Sequence, residues 1–167
     1  MSEPNVYADS TALIGLARIG RLDLLALYSG QVMVTSHVWL EITETTDMPG
    51  VPELNGAREQ GLLVIVDEGD PDRYPTLDPG ESTVLSAAVA TRAHVIMDER
   101  KARRLIETDP DLTQSIASVT GVLGLILLAK EEGHIPAVRP LLDALIRQDF
   151  RIGRRLFEEL VSAAGER

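Results

Sequence analysis

Val95-Ile96-Met97-Asp98-Glu99-Arg100-Lys101 is the stretch whose reading decides the fold. Three apolar residues run into an acid, and a charged helical segment follows. The pattern reads as a buried parallel strand that ends on a carboxylate. Val6-Tyr7-Ala8-Asp9-Ser10 repeats the design near the start of the chain. In open parallel sheets, ligands sit beyond the carboxyl ends of the strands. Two acids at two such ends predict one shared acidic site.

Working outward, strands are predicted over 5–8, 31–35, 62–66 and 94–97, with a short last strand over 113–117. The run Leu62–Val66 is apolar throughout, as in a strand covered on both faces. Helices are predicted over Thr11–Arg18 and Leu22–Tyr28. Another leaves a Ser36 cap and runs through Trp39, Glu41 and Ile42. Further helices cover Pro52–Gln60, a segment starting at Pro79-Gly80-Glu81, Glu99–Glu107, Thr120–Glu132, Val138–Arg147 and Arg154–Ala164. Asp47-Met48-Pro49-Gly50 breaks the pattern, Asp67–Leu77 is a loop, and so is Asp109-Pro110. Alternating strands and helices predict an α/β fold: a short parallel sheet of four to five strands with helices on both faces. No repeat or linker divides the chain, so 1–167 reads as a single domain with room for a core.

Composition narrows the class. Hydrophobic residues make up 44%, which excludes a disordered chain, and cysteine is absent, which excludes disulfides and thiolate metal sites. The most apolar run, Val122–Ala129, is too short to span a bilayer, and Met1–Asn5 has no signal-like character. A soluble, cytoplasmic protein is expected. The net charge of −10 argues against a broad nucleic-acid surface. It leaves either a solvating acidic surface or acids that converge and call for a cation.

Four acids carry that second reading. Asp9 and Asp98 each suit a helix N-cap, and Glu99 adds a first-turn acid beside Asp98. Glu81, in a first turn, complements a helix dipole. Glu41 lies among Val38, Trp39, Leu40 and Ile42, where a carboxylate is harder to explain as a solvated face. Taken together, the junctions after parallel strands lie on one edge of the sheet. Clustered carboxylates repel one another, and a hard divalent cation such as Mg²⁺ or Mn²⁺ relieves this.

The basic residues carry two readings. Arg100, Lys101, Arg103 and Arg104 form either a solvated helix face or a phosphate contact. Arg151, Arg154 and Arg155 form a C-terminal surface or a partner contact. His37 shares a helix face with Glu41, and no second histidine completes a metal set. A doubly wound phosphohydrolase is disfavoured, because Thr11 stands where a second Asp is usual.

The pieces Val6–Ile14, Val38–Ile42, Leu77–Ser82, Val95–Arg100 and Thr120-Gly121-Val122-Leu123-Gly124 together resemble the PIN domain, in particular VapC-like ribonucleases of toxin–antitoxin pairs or a closely related, uncharacterised PIN branch. The resemblance covers roughly residues 4–150. It implies a PIN-like three-layer α/β/α fold and a Mg²⁺- or Mn²⁺-dependent endoribonuclease acting on single-stranded or structured RNA. Asp9, Glu41, Glu81 and Asp98 would then hold the metal, supported by the hydroxyl of Thr11 or Ser10. The third acid is more often Asp in the toxins. Arg100, Arg103 and Arg104 are the candidate RNA contacts. A homodimer and a small antitoxin partner are expected, with no membrane. The rival is a PIN-like module that has lost catalysis and acts through protein or metal binding.

Overall fold

The computed structural model describes residues 5–28, 30–44, 48–98 and 100–167. Asp47, the first residue of the predicted break, and Glu99, the predicted first-turn acid, lie outside the described residues. β1 (Val6–Ala8), β2 (Val32–Thr35), β3 (Leu63–Val66), β4 (His94–Ile96) and β5 (Ser118–Thr120) pair in the order β3-β2-β1-β4-β5, every pair parallel. The chain moves outward from β1 to β3, then returns to the far side of β1 to lay down β4. The strand order therefore reverses between β1 and β4, the position where open α/β sheets leave a crevice at their carboxyl edge.

Helices flank this sheet. α1 (Ser10–Arg18) leaves β1, and a 3-10 helix (Leu22–Leu27) leads toward β2. α2 (Ser36–Thr43) and α3 (Val51–Glu59) lie between β2 and β3, and α4 (Pro79–Thr91) leads into β4. α5 (Arg100–Thr108) and α6 (Pro110–Ser115) precede β5, and α7 (Val122–Glu131), α8 (Arg139–Arg147) and α9 (Arg154–Ala163) follow it. Tyr7, Leu13, Leu16, Leu85, Ile96 and Met97 are among the fully buried side chains that join sheet and helices. Burying such side chains is the main term that holds the layers together.

Two expectations are corrected. Thr113–Ala117 is not a strand. The Asp109 carboxylate accepts from the Asp111 and Leu112 N–H groups, and Pro110 occupies the first turn, so a capped helix forms through Ser115. The last strand is Ser118–Thr120, and α7 starts at Val122 rather than Thr120. The 62–66 run is not enclosed on both faces either. β3 is an edge strand, with Leu63 buried and Val64, Ile65 and Val66 only half-buried.

Candidate active site

Asp9 follows β1 directly and is 2% exposed. Its N–H donates to the Ile96 carbonyl at 3.0 Å, which ties the β1–α1 junction to β4. Its carboxylate accepts the Ala12 N–H at 3.0 Å and so caps α1. Asp98 lies two residues past β4. Its two carboxylate oxygens accept the Val122 N–H at 3.0 and 3.2 Å. It therefore receives the start of α7, across the end of β5. Gly121 makes this approach possible, since a Cβ there would collide with Oδ1 of Asp98. Burial pushes the Asp98 carboxyl above its ordinary value, while the Val122 N–H and the Arg103 guanidinium pull it back.

Glu41 packs against the start of α4, and Glu81 lies in the first turn of that helix. A Cβ on Gly80 would lie 2.6 Å from Oε1 of Glu41, so the carboxylate packs against a helix start that only glycine leaves open. Burial raises the Glu41 carboxyl, the Ser10 hydroxyl donates to it and lowers it, and Asp78 raises it again. Glu81 turns back on its own helix: its carboxylate accepts the Asp78 N–H at 3.3 Å in a capping box. Ser10, not Thr11, is thus the hydroxyl that touches an acid. Thr11 is exposed and lines the cleft beside Asp98.

The fold brings the four acids to one edge in a connected series. Asp98 and Asp9 stand at neighbouring strand ends, Ser10 links onward to Glu41, and Glu41 rests on Gly80 next to Glu81. They do not close around one point. Among the described residues, no three Asp, Glu or His side chains form a ready metal cluster. Asp9, Asp98 and Glu81 each accept a backbone N–H instead. The donor chemistry nevertheless fits a hard divalent cation: carboxylate oxygens, partly dehydrated, on two glycine-lined approaches.

A cleft of about 880 Å³ opens from Asp98. Arg100, Arg103 and Arg104 of α5 line it, together with Arg151, Phe150 and Leu156 from the C-terminal segment. Glu107 and Asp149 also border it. The predicted C-terminal basic patch therefore divides. Arg151 joins the cleft, whereas Arg154 and Arg155 pair with Glu158 and Glu159 along the exposed face of α9. Phe150 has no periodic or motif signal in the sequence that ties it to Asp98.

A family model described as DUF3368, PIN domain, matches residues 5–166. The match runs through the C-terminal helices, beyond the limit near residue 150 drawn from the motifs. No curated protein and no solved structure matches the chain significantly. Among the described residues, no helix is long and apolar enough to cross a membrane. An all-parallel sheet with its strand reversal between two acid-tipped strands, and a family match over nearly the whole chain, lead to one conclusion: this protein belongs to the PIN-domain family.

Proposed function

We propose that the protein is a divalent-metal-dependent endoribonuclease for single-stranded or structured RNA. The observation that carries this reading is the pair Asp9 and Asp98. They stand at the ends of adjacent strands, at the sheet's reversal point, and Asp98 faces an arginine-lined cleft. Asp9 and Asp98, with Glu41 and Glu81, are the residues that would hold Mg²⁺ or Mn²⁺. When bound, the ion supplies Lewis-acid activation of water and of the scissile phosphate. The chain's own groups do the rest. The Val122 N–H fixes the Asp98 carboxylate, and the Ser10 hydroxyl orients Glu41. Arg100, Arg103 and Arg104 take the RNA phosphates as charge-assisted donors. The setting that suits such an enzyme is a toxin–antitoxin pair, with a small antitoxin as partner and a homodimer as the assembled form.

The test is direct. Labelled RNA is incubated with the purified protein and Mn²⁺, then with excess chelator. Cleavage in Mn²⁺ that stops on chelation supports the reading. Cleavage that continues in chelator, or full activity in the Asp9→Asn, Asp98→Asn double variant, sinks it. A second reading, a module that binds without cutting, draws on Glu81 being folded back onto Asp78. It predicts saturable Mn²⁺ binding with intact RNA.

A further inference from the structure

The cleft has a second wall that neither the acids nor the α5 arginines account for. Residues 149–151, which join α8 to α9, form it. α8 ends in a paired-bond stop: the Asp149 N–H donates to the Ile146 carbonyl, and the Phe150 N–H donates to the Leu145 carbonyl, each at 3.0 Å. Asp149 holds the left-handed position at φ 65°, where glycine is usual. The stop sends Phe150 back toward α1, where its ring lies over Gly15. A Cβ on Gly15 would meet two ring carbons at 3.5 and 3.6 Å. Phe150 is thus anchored on the helix that Asp9 caps, yet it stays half-buried and lines the cleft that contains Asp98. Arg151 follows it on the same wall. Arg103 already attracts the Asp98 carboxylate, whereas among the described residues no carboxylate forms an ion pair with Arg100, Arg104 or Arg151, although ion pairs occur elsewhere on the same chain.

We propose that the Phe150-Arg151 turn is a nucleotide subsite of this cleft. Phe150 receives an unstacked base on its ring, and Arg151 contacts a flanking phosphate opposite Arg100 and Arg104 of α5. The cleft volume of about 880 Å³ lies within the range of nucleotide-sized ligand sites. An aromatic ring beside a run of arginines is the chemistry that holds single strands, because every base presents a π-face and every linkage a negative charge. A duplex hides those faces, so the subsite selects unpaired nucleotides. The proposal rests on the nuclease reading for what happens next to Asp98, but binding at the subsite needs no cleavage.

Binding is measured in chelator, by anisotropy of a labelled oligoadenylate RNA. The same RNA with one abasic position, and the matching duplex, serve as controls. Wild type is expected to prefer the intact single strand. Phe150→Ala should weaken binding roughly tenfold and erase the penalty for the abasic position. Phe150→Trp should keep the affinity, and the added indole emission should fall as RNA is titrated, against the Trp39-only emission of wild type. Arg151→Gln should weaken binding to intact and abasic RNA alike and lower the salt slope by about one phosphate contact. Melting curves identify any variant that fails to fold, and Phe150→Trp and Arg151→Gln carry the test if Phe150→Ala does. Folded variants that bind like wild type, or Phe150→Trp emission unchanged at saturating RNA, overturn the subsite. Absence of RNA binding by wild type overturns it as well. If wild type binds through Phe150 but never cuts in Mn²⁺, the nuclease reading falls and the subsite stands.

Discussion

Asp98 does two jobs with one carboxylate. It caps α7 through the Val122 N–H and faces the cleft. Its carboxyl is raised mainly by burial, so the folded chain binds a proton there more tightly than the unfolded chain does. The stabilising contribution of that proton is present at low pH and is lost as pH rises through the raised folded value. Asp98→Asn keeps an oxygen for Val122 and removes the buried charge. In chelator at pH 8 it is expected to melt higher than wild type, with the gap closing in acid. In Mn²⁺ the same variant should lose cleavage by about a hundredfold or more. A lower melting point in chelator at pH 8 would refute the burial argument. Gly121 is the second sensitive position. Gly121→Ala places a methyl against Asp98 and should cost about 1–3 kcal/mol in denaturant melts, with activity falling beyond what the stability loss explains.

Helix starts are where this fold concentrates its polar chemistry. Asp9 caps α1, Thr35 caps α2, and the Asp78–Glu81 box starts α4. Thr35 is fully buried and also shares a 2.8 Å hydrogen bond with Thr83 of α4, so one hydroxyl joins β2, α2 and α4. Thr35→Val keeps the shape and removes that hydroxyl. It should destabilise the protein by about 1–2 kcal/mol in urea melts. Because α2 carries Glu41 against α4, the variant should also disturb activity before it unfolds the chain. Unchanged stability would mean that the buried hydroxyl pair contributes little. The sequence pattern placed most of these helices. It misplaced the last strand, because Thr113-Gln114-Ser115 carries β-tolerant residues whose fate was decided by the Asp109 cap just before them.

At the scale of the whole molecule, a chain of net charge −10 presents a local basic cleft beside its acids. Long-range repulsion and local attraction then oppose each other, and salt screens both. RNA binding in chelator should weaken as salt rises, with a slope of about −0.7 per phosphate contacted. A flat salt response would exclude the arginine wall as an RNA contact. Cleavage should also depend on pH. Burial raises the Glu41 and Asp98 carboxyls above their ordinary values, so in the proposed enzyme metal uptake would require their ionisation at a higher pH than free carboxylates would. Activity in Mn²⁺ is expected to rise with pH through that range and to be lost on acidification. A profile falling with rising pH there would contradict it.

What the sequence determined by itself was the alternation of apolar strands and helices, and the acids that end β1 and β4. Those are local properties: a run of Val, Ile and Met and the polar residue that stops it lie within a few positions of each other. The motifs around Asp9, Glu41, Glu81, Asp98 and Gly121 were legible for the same reason. Only the tertiary structure decided which groups share a space. Asp98 accepts from the start of α7, the Ser10 hydroxyl reaches Glu41, and Glu81 turns onto Asp78. Phe150 and Arg151 reach the Asp98 cleft only because α8 ends in a turn that lays a ring over Gly15. Such contacts join residues far apart in the chain through packing. Packing depends on the shape of every intervening element, which no local period encodes.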